Sequence, residues 1–197
     1  MEIGQIDKFQ LALPPHLSET DKKLLLKQLE DFPGASGFFG TIRDNEPVQG
    51  DAWRGFVALH YPSGERDEVV GLVISNSCDI TKANNPDPDQ NVLFAPLLDL
   101  AEYQAVLRGL GKSADYIANR IDRIRQQEIH RIFYVPPNGD LGGESIVLLD
   151  HIYAQPLSSL GKLERVFSLS SYGWYVLLMK LSVHFTRMTD GVVREPL

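Results

Sequence analysis

The sequence predicts an α+β protein: a small, mostly antiparallel β-barrel with an N-terminal helix, an inserted helical hairpin and a C-terminal helix. Three observations carry this. Short runs of strand-forming residues are joined by hairpin-like loops. The apolar period changes from strand-like to helix-like at about residues 99–128, and again at about 171–189. Hydrophobic residues are 43% of 197, enough for a core, and no repeat or linker divides the chain, so residues 1–197 read as one domain.

Residues 1–17 read as extended and end in a Pro-Pro pair. The stretch "SETDKKLLLKQLEDFPG" predicts the first helix. Ser18 with Asp21 resembles a capping box, Leu25, Leu26 and Leu29 form a short stripe, and Pro33-Gly34 stops it. Residues 34–48 are Gly-rich and read as irregular. The barrel is expected over about 49–98 and 129–170. "DAWRGFVALHY" predicts a strand buried on both faces, with Phe56, Ala58 and His60 on one side and Val57, Leu59 and Tyr61 on the other. Pro62 and Gly64 suit a hairpin turn, and "VVGLVISN" and "NVLFAPL" are the next strands. In the insertion, Tyr103, Val106, Leu107 and Leu110 mark one helix; Ser113 caps a second, with Ile117, Ile121 and Ile124 inside. "IHRIFYVPP", "GESIVLLDHIYAQPL" and "ERVFSLS" supply the later strands. Ser170 or Ser171 caps the last helix, whose apolar face runs from Trp174 to Phe185.

Composition narrows the function. Net charge is −7, which argues against broad attachment to DNA or anionic membrane. A local basic groove remains open, because Arg120, Arg123, Arg125 and Arg131 fall close together. No apolar run approaches the roughly 18 residues of a membrane span. The N-terminus does not read as a secretory signal. A single cysteine builds no intrachain disulfide and no four-thiolate zinc site, which suits a reducing cytoplasm. No cofactor motif is present: the Gly-rich segments match no phosphate-loop spacing, and the five histidines are dispersed without metal-ligand spacing.

The stretch Leu72 to Lys82, "LVISNSCDITK", is the sharpest local feature. An apolar strand ends in a polar corner that holds the lone cysteine, Cys78. One reading is a thiol nucleophile, with His130 as the base that would make thiolate. Asp79 is a poor activator, since its charge opposes thiolate. A second reading has Ser75, Asn76 and Asp79 binding a ligand without covalent chemistry. The third is an ordinary turn with Cys78 as a small buried residue. Phosphate recognition is a separate option: Arg54, Arg66, Lys82 and Arg131 could line a concave face, with Trp53, His60 and Tyr134 as stacking rings for single-stranded nucleic acid.

Several segments resemble the MazF/PemK family of toxins. "QGDAW" at Gln49–Trp53 resembles the Gly-Asp opening of that family's first strand. "GLVISN" resembles its apolar strand ending in Ser, and "VLFAPL" the strand that follows. "ESIVLLDHIYAQPL" resembles the late strand pair, with Asp150-His151 where the family has Asp-Gln. The resemblance covers about half of the chain. It implies an SH3-like barrel with a C-terminal helix, a homodimer, an antitoxin-like protein partner, single-stranded RNA as substrate and endoribonuclease activity. It also sets two departures: Val69-Val70 stand where the family has Arg-Pro, and Leu97 where it has a threonine after the proline. An RNA-cleaving version would therefore use Arg66 or Arg54 to stabilise phosphate charge and His130 or His60 as acid or base, with Cys78, Ser75, Asn76, Asp79, Lys82, Arg131 and Tyr134 around the substrate. The alternative is a non-catalytic module that binds a protein or small ligand at Ser75–Asp79.

Overall fold

The computed structural model describes residues 37–41, 47–81 and 90–186, with positions 18, 20, 23, 24 and 27. Of the expected first helix, Thr20, Lys23, Leu24 and Lys27 are helical. The extended segment 1–17, Asp21 and Lys82 lie outside the described residues.

In chain order come β1 (Phe39–Gly40), β2 (Asp51–Leu59), β3 (Arg66–Val73), α1 (Ser77–Ile80), β4 (Asn91–Asp99), α2 (Leu100–Gly109) and α3 (Ala114–Arg125). Then follow β5 (Ile132–Val135), β6 (Ser145–Leu148), β7 (Tyr153–Pro156), β8 (Glu164–Leu169) and α4 (Ser171–Thr186), with a 3-10 turn at Leu157–Lys162. The expected order of strands, inserted helical pair, strands and final helix is present. The strand β1 lies in the stretch read as irregular. It takes its partner from the distant β8, pairing Phe39 with Leu169, which local pattern does not encode.

The strands form one sheet in the order β1-β8-β2-β3-β4-β6-β5, with β7 beside β4, and every pairing is antiparallel. Its path has two ends. The sheet is therefore open where a closed barrel was expected. The physical reason at one end is Gln127, a non-glycine residue at φ 58°. Its side-chain amide donates to the Tyr134 carbonyl at 2.8 Å and accepts from the Tyr134 N–H at 3.1 Å. One amide thus satisfies an edge strand as a further strand would.

Three apolar clusters hold the layers. The main one lies between the sheet and α4 and includes Leu72, Phe133, Val147, Phe167, Tyr172 and Leu177. A second joins Leu107, Ile117, Ile121 and Ile124 of the helical pair to Ile132, Tyr134 and Ile146. Alternation along β5 explains both: Ile132 and Tyr134 face the helices, while Phe133 and Val135 face the main core. The third surrounds the stacked rings of Phe56 and Phe94, whose centroids are 4.0 Å apart. Gly71 lies beneath them, and a Cβ there would come within 2.6 Å of both rings. The apolar positions differ in part from expectation. On β2 a bulge at Gly55, φ 98°, breaks the register, and Val57 and Tyr61 face solvent. Val106, Leu110 and Phe185 are also exposed, at 60, 67 and 60%.

Among the described residues, Asp51 is a fully enclosed carboxylate. Asp51 opens β2, pairs across from Ser168 of β8, and accepts from the Ser168 hydroxyl at 2.6 Å and the Val48 N–H at 3.0 Å. Arg165 Nε lies 3.1 Å from its Oδ2, and the guanidinium covers the Trp53 ring at 4.5 Å. Burial pushes the Asp51 carboxyl above its usual range, while Ser168, Val48 and Arg165 draw it back. Removing one member of a buried pair strands the other charge. Asp51→Ala should cost about 3–5 kcal/mol in urea unfolding, and Asp51→Asn, which can still accept from Ser168, should cost less. A loss below about 1 kcal/mol for the alanine variant would show that the pair does not support the fold.

Candidate functional site

The polar corner after β3 is built as a joint. Ile74 N–H donates to the Leu93 carbonyl at 2.8 Å, and Ser75 Oγ accepts from Leu93 N–H at 2.8 Å, which carries the β3–β4 pairing past the end of the strand. Asn76 caps α1 by accepting from Cys78 N–H at 2.9 Å. Ser77 Oγ accepts from Gln49 N–H at 2.9 Å. The Gln49 amide then donates to the Ile74 carbonyl at 2.7 Å and accepts from Trp174 Nε1 at 3.1 Å. Gln49 thereby ties the corner to the start of α4. Ile80 is buried and pins the turn from below. Short polar side chains suit such a bend because they can satisfy nearby backbone. Ser75, Asn76 and Ser77 thus use their oxygens on the protein itself. Cys78 and Asp79 face solvent, so Cys78 is not the buried residue of the turn reading.

The other candidates are dispersed. His130 lies in the turn before β5 and stacks on His184 near the end of α4, with ring centroids 6.1 Å apart. The corner holding Cys78 is tied through Gln49 to Trp174 of α4, ten residues before His184, which is about 15 Å of helix. Arg66 opens β3 and the corner closes it, roughly 23 Å apart along an extended strand. Arg54, at the β2 bulge, lies 3.6 Å from Glu164. It lines a cleft of about 480 Å3 with Glu68, Gln155 and Lys162. Arg131 reaches Asp150 at 3.4 Å. Tyr134 is buried and donates its phenol proton to Glu144 at 2.7 Å, while Arg125 grips the same carboxylate with two bonds of 2.7 Å. Arg125 holds Glu144 below the usual carboxylate range, and burial with Glu144 pushes the phenol far up. Tyr134 therefore braces the insertion rather than presenting an open ring.

The positions that depart from the resembled family are apolar in their surroundings as well as their identity. Val69 packs on the cluster around Phe56 and Phe94, and Val70 and Leu97 pack on the main core. Among the described residues no three His, Cys, Asp or Glu side chains gather to hold a metal ion, and no helix is long and apolar enough to cross a membrane.

Two features escape the sequence reading. One is a second groove of about 480 Å3 between α2 and α3. The Ala114 and Ala118 spacing, one turn apart beside the Ile117–Ile121 stripe, is the signal that marks it. The other is Lys180, buried on α4, whose amine donates to the Gln127 and Ile129 carbonyls at 2.9 and 2.6 Å.

No protein-family model matches the chain, and no curated protein does. Among solved structures, the chain is similar to an endoribonuclease in complex with its cognate antitoxin from a mycobacterial species. The identity is 14% and the TM-score 0.40, over 73% of this chain and 98% of that one. At that degree of likeness the fold rests on the strand pairing described above.

Burial pulls the Lys180 amine down to about 8 from 10.5. Below pH 8 it is charged whether the chain is folded or not, and the fold carries the desolvation cost. Between about 8 and 10.5 the folded chain loses the proton first, so this cost is relieved as pH rises. The stability of the wild type relative to Lys180→Met should therefore grow between pH 8 and 10.5 in urea titrations at matched salt. A flat difference would place the amine at its ordinary value.

Proposed function

We propose that this chain is a MazF/PemK-like protein that works by binding an antitoxin-like protein partner, within a toxin–antitoxin or phage-defence type system. In this reading it does not cleave RNA with the family's arginine and threonine. The observation that carries the reading is the packing of Val69, Val70 and Leu97 against apolar clusters. Phosphoryl chemistry depends on preorganised charge aimed at the developing oxyanion, and those positions offer neither a cation nor a hydroxyl. Of the two arginines that could substitute, Arg54 is engaged with Glu164, and Arg66 lies at the far end of β3 from the Ser75–Asp79 corner; Arg131, a candidate for the substrate, is engaged with Asp150. The thiol–imidazole alternative is also opposed: His130 stacks on His184, whereas the corner holding Cys78 is tied through Gln49 to Trp174, ten residues and about 15 Å of helix earlier. The single-domain organisation, the homodimer and the cytoplasmic location belong to this reading.

RNA recognition is the second reading. Its support is the β2–β3 turn, where Tyr61 is 82% exposed and Arg66 pairs across from Leu59. A ring beside a cation suits single-stranded RNA. Against it, Glu65, Asp67 and Glu68 flank Arg66, and His60 lies 3.0 Å from Asp67.

The deciding measurement is incubation of a mixed RNA pool with the purified protein and its His130→Ala, Cys78→Ala and Arg66→Ala variants. Intact RNA in every sample is the expected result. Cleavage by the wild type that disappears in Arg66→Ala would replace the binding reading with the second one.

A further inference from the structure

The groove between α2 and α3 sets two basic side chains beside small and aliphatic ones. Arg108 and Lys112 stand on one wall, Ala114 and Ala118 on the other, and Ile117 and Ile121 form the floor. Outside the groove Arg54, Arg123 and Arg131 each lie within 4.0 Å of a carboxylate, while Arg120 donates to the Tyr103 hydroxyl. Asp122, at the same groove, is 3.6 Å from Arg125, which Glu144 also holds. Arg108 reaches only the Gln104 amide, at 3.3 Å, and Lys112 lies over the Tyr116 ring at 5.6 Å. Among the described residues neither cation pairs with a carboxylate. On a chain of net charge −7, two uncompensated cations at the mouth of an apolar-floored groove form a complement to acidic, not basic, surface.

The shape narrows the occupant. Two helices joined by residues 110–113 leave an open trough, and exposed alanines one turn apart let another backbone approach closely. A third helix suits such a trough better than a compact small molecule. We infer that this groove docks an acidic amphipathic helix of a protein partner, with small or aliphatic residues against Ala114, Ala118 and the two isoleucines, and carboxylates toward Arg108 and Lys112. The hairpin tip adds exposed Leu110 and Tyr116 beside the trough. This inference rests on the protein-binding reading and names the surface for it.

The test uses the full chain and two labelled 16-residue synthetic helices, each with leucine and alanine along one face. One carries glutamate on both flanks and the other lysine. Fluorescence anisotropy should show binding of the glutamate helix, weakened about tenfold or more by the double variant Arg108→Glu, Lys112→Glu and by raised salt. The lysine helix should not bind. Arg123→Glu, on the opposite side of α3, should bind as the wild type does. Backbone amide shifts on binding should centre on Gln104, Ala114 and Ala118, and the melting temperature of the double variant should match the wild type. Equal binding of both helices, no binding of the glutamate helix, or indifference to the double variant would overturn the inference. So would a ten-nucleotide single-stranded RNA that binds in its place and is lost in the double variant. Peptide failure with RNA left intact removes this groove alone, whereas RNA cleavage removes the reading beneath it.

Discussion

The buried contact between Asp51 and its neighbours is the constraint on which the rest of the sheet depends. Two enclosed charges add little net stability, because desolvation offsets most of their attraction. What they supply is alignment. Asp51 finds Ser168, Val48 N–H and Arg165 only when β2 and β8 pair with Asp51 across from Ser168. A slip of one residue would turn the carboxylate to the other face and leave it without donors. From that fixed pair the register passes outward. Gly50 N–H donates to the Val73 carbonyl and Leu169 N–H to the Gly50 carbonyl, so the same turn sets β2 against both neighbours. Gln49, one residue earlier, fixes the corner and α4 in the same step.

A frame held this way leaves function to surfaces that its contacts do not consume. The corner at Ser75–Asp79 looked like a site because it gathers polar side chains at the end of a core strand. Most of those side chains turn out to hold the frame together. The same logic applies to Arg54, Arg123 and Arg131: each is worth little as an exposed pair, yet each pair leaves less charge free for an anionic ligand. Free cationic character then belongs to few places, and the α2–α3 groove is one of them.

The sequence was most legible where a periodic pattern was long. Ser113 and the three isoleucines of α3 stand where the spacing put them, with the cap and the buried face as read. The β2–β3 hairpin and the strands after it were legible for the same reason. Three kinds of feature were not. The pairing of β1 with β8 is non-local. The bulge at Gly55 turned Val57 outward, which an alternating pattern cannot foresee because one inserted residue reverses every later side chain. The covering of the β5 edge rests on Gln127, a side chain that meets the Tyr134 backbone as a strand would. At the site, sequence showed which residues could do chemistry but not which carboxylate each would meet. Arg125, one of the arginines that left a basic groove open, instead clamps Glu144, which also accepts from Tyr134.

The insertion links the fold to the proposed role. A sheet of this kind has two ways to quiet its edge: close on itself, or cover the last strand. This chain takes the second at β5. Gln127 occupies the edge, Lys180 fastens the carbonyls of Gln127 and Ile129 to α4, and the Arg125–Glu144–Tyr134 contact locks α3 onto the hairpin of β5 and β6. With Ile117, Ile121 and Ile124 committed to the cluster on β5 and β6, the helical pair keeps a groove along the exposed Ala114 and Ala118. A helix pair anchored on one face is a rigid platform, and binding to a rigid platform loses little to ordering the receptor. The residues that end the sheet are therefore the same ones that pre-organise the groove. A change at Gln127 or Glu144 would reach the groove through the platform without touching any residue that lines it.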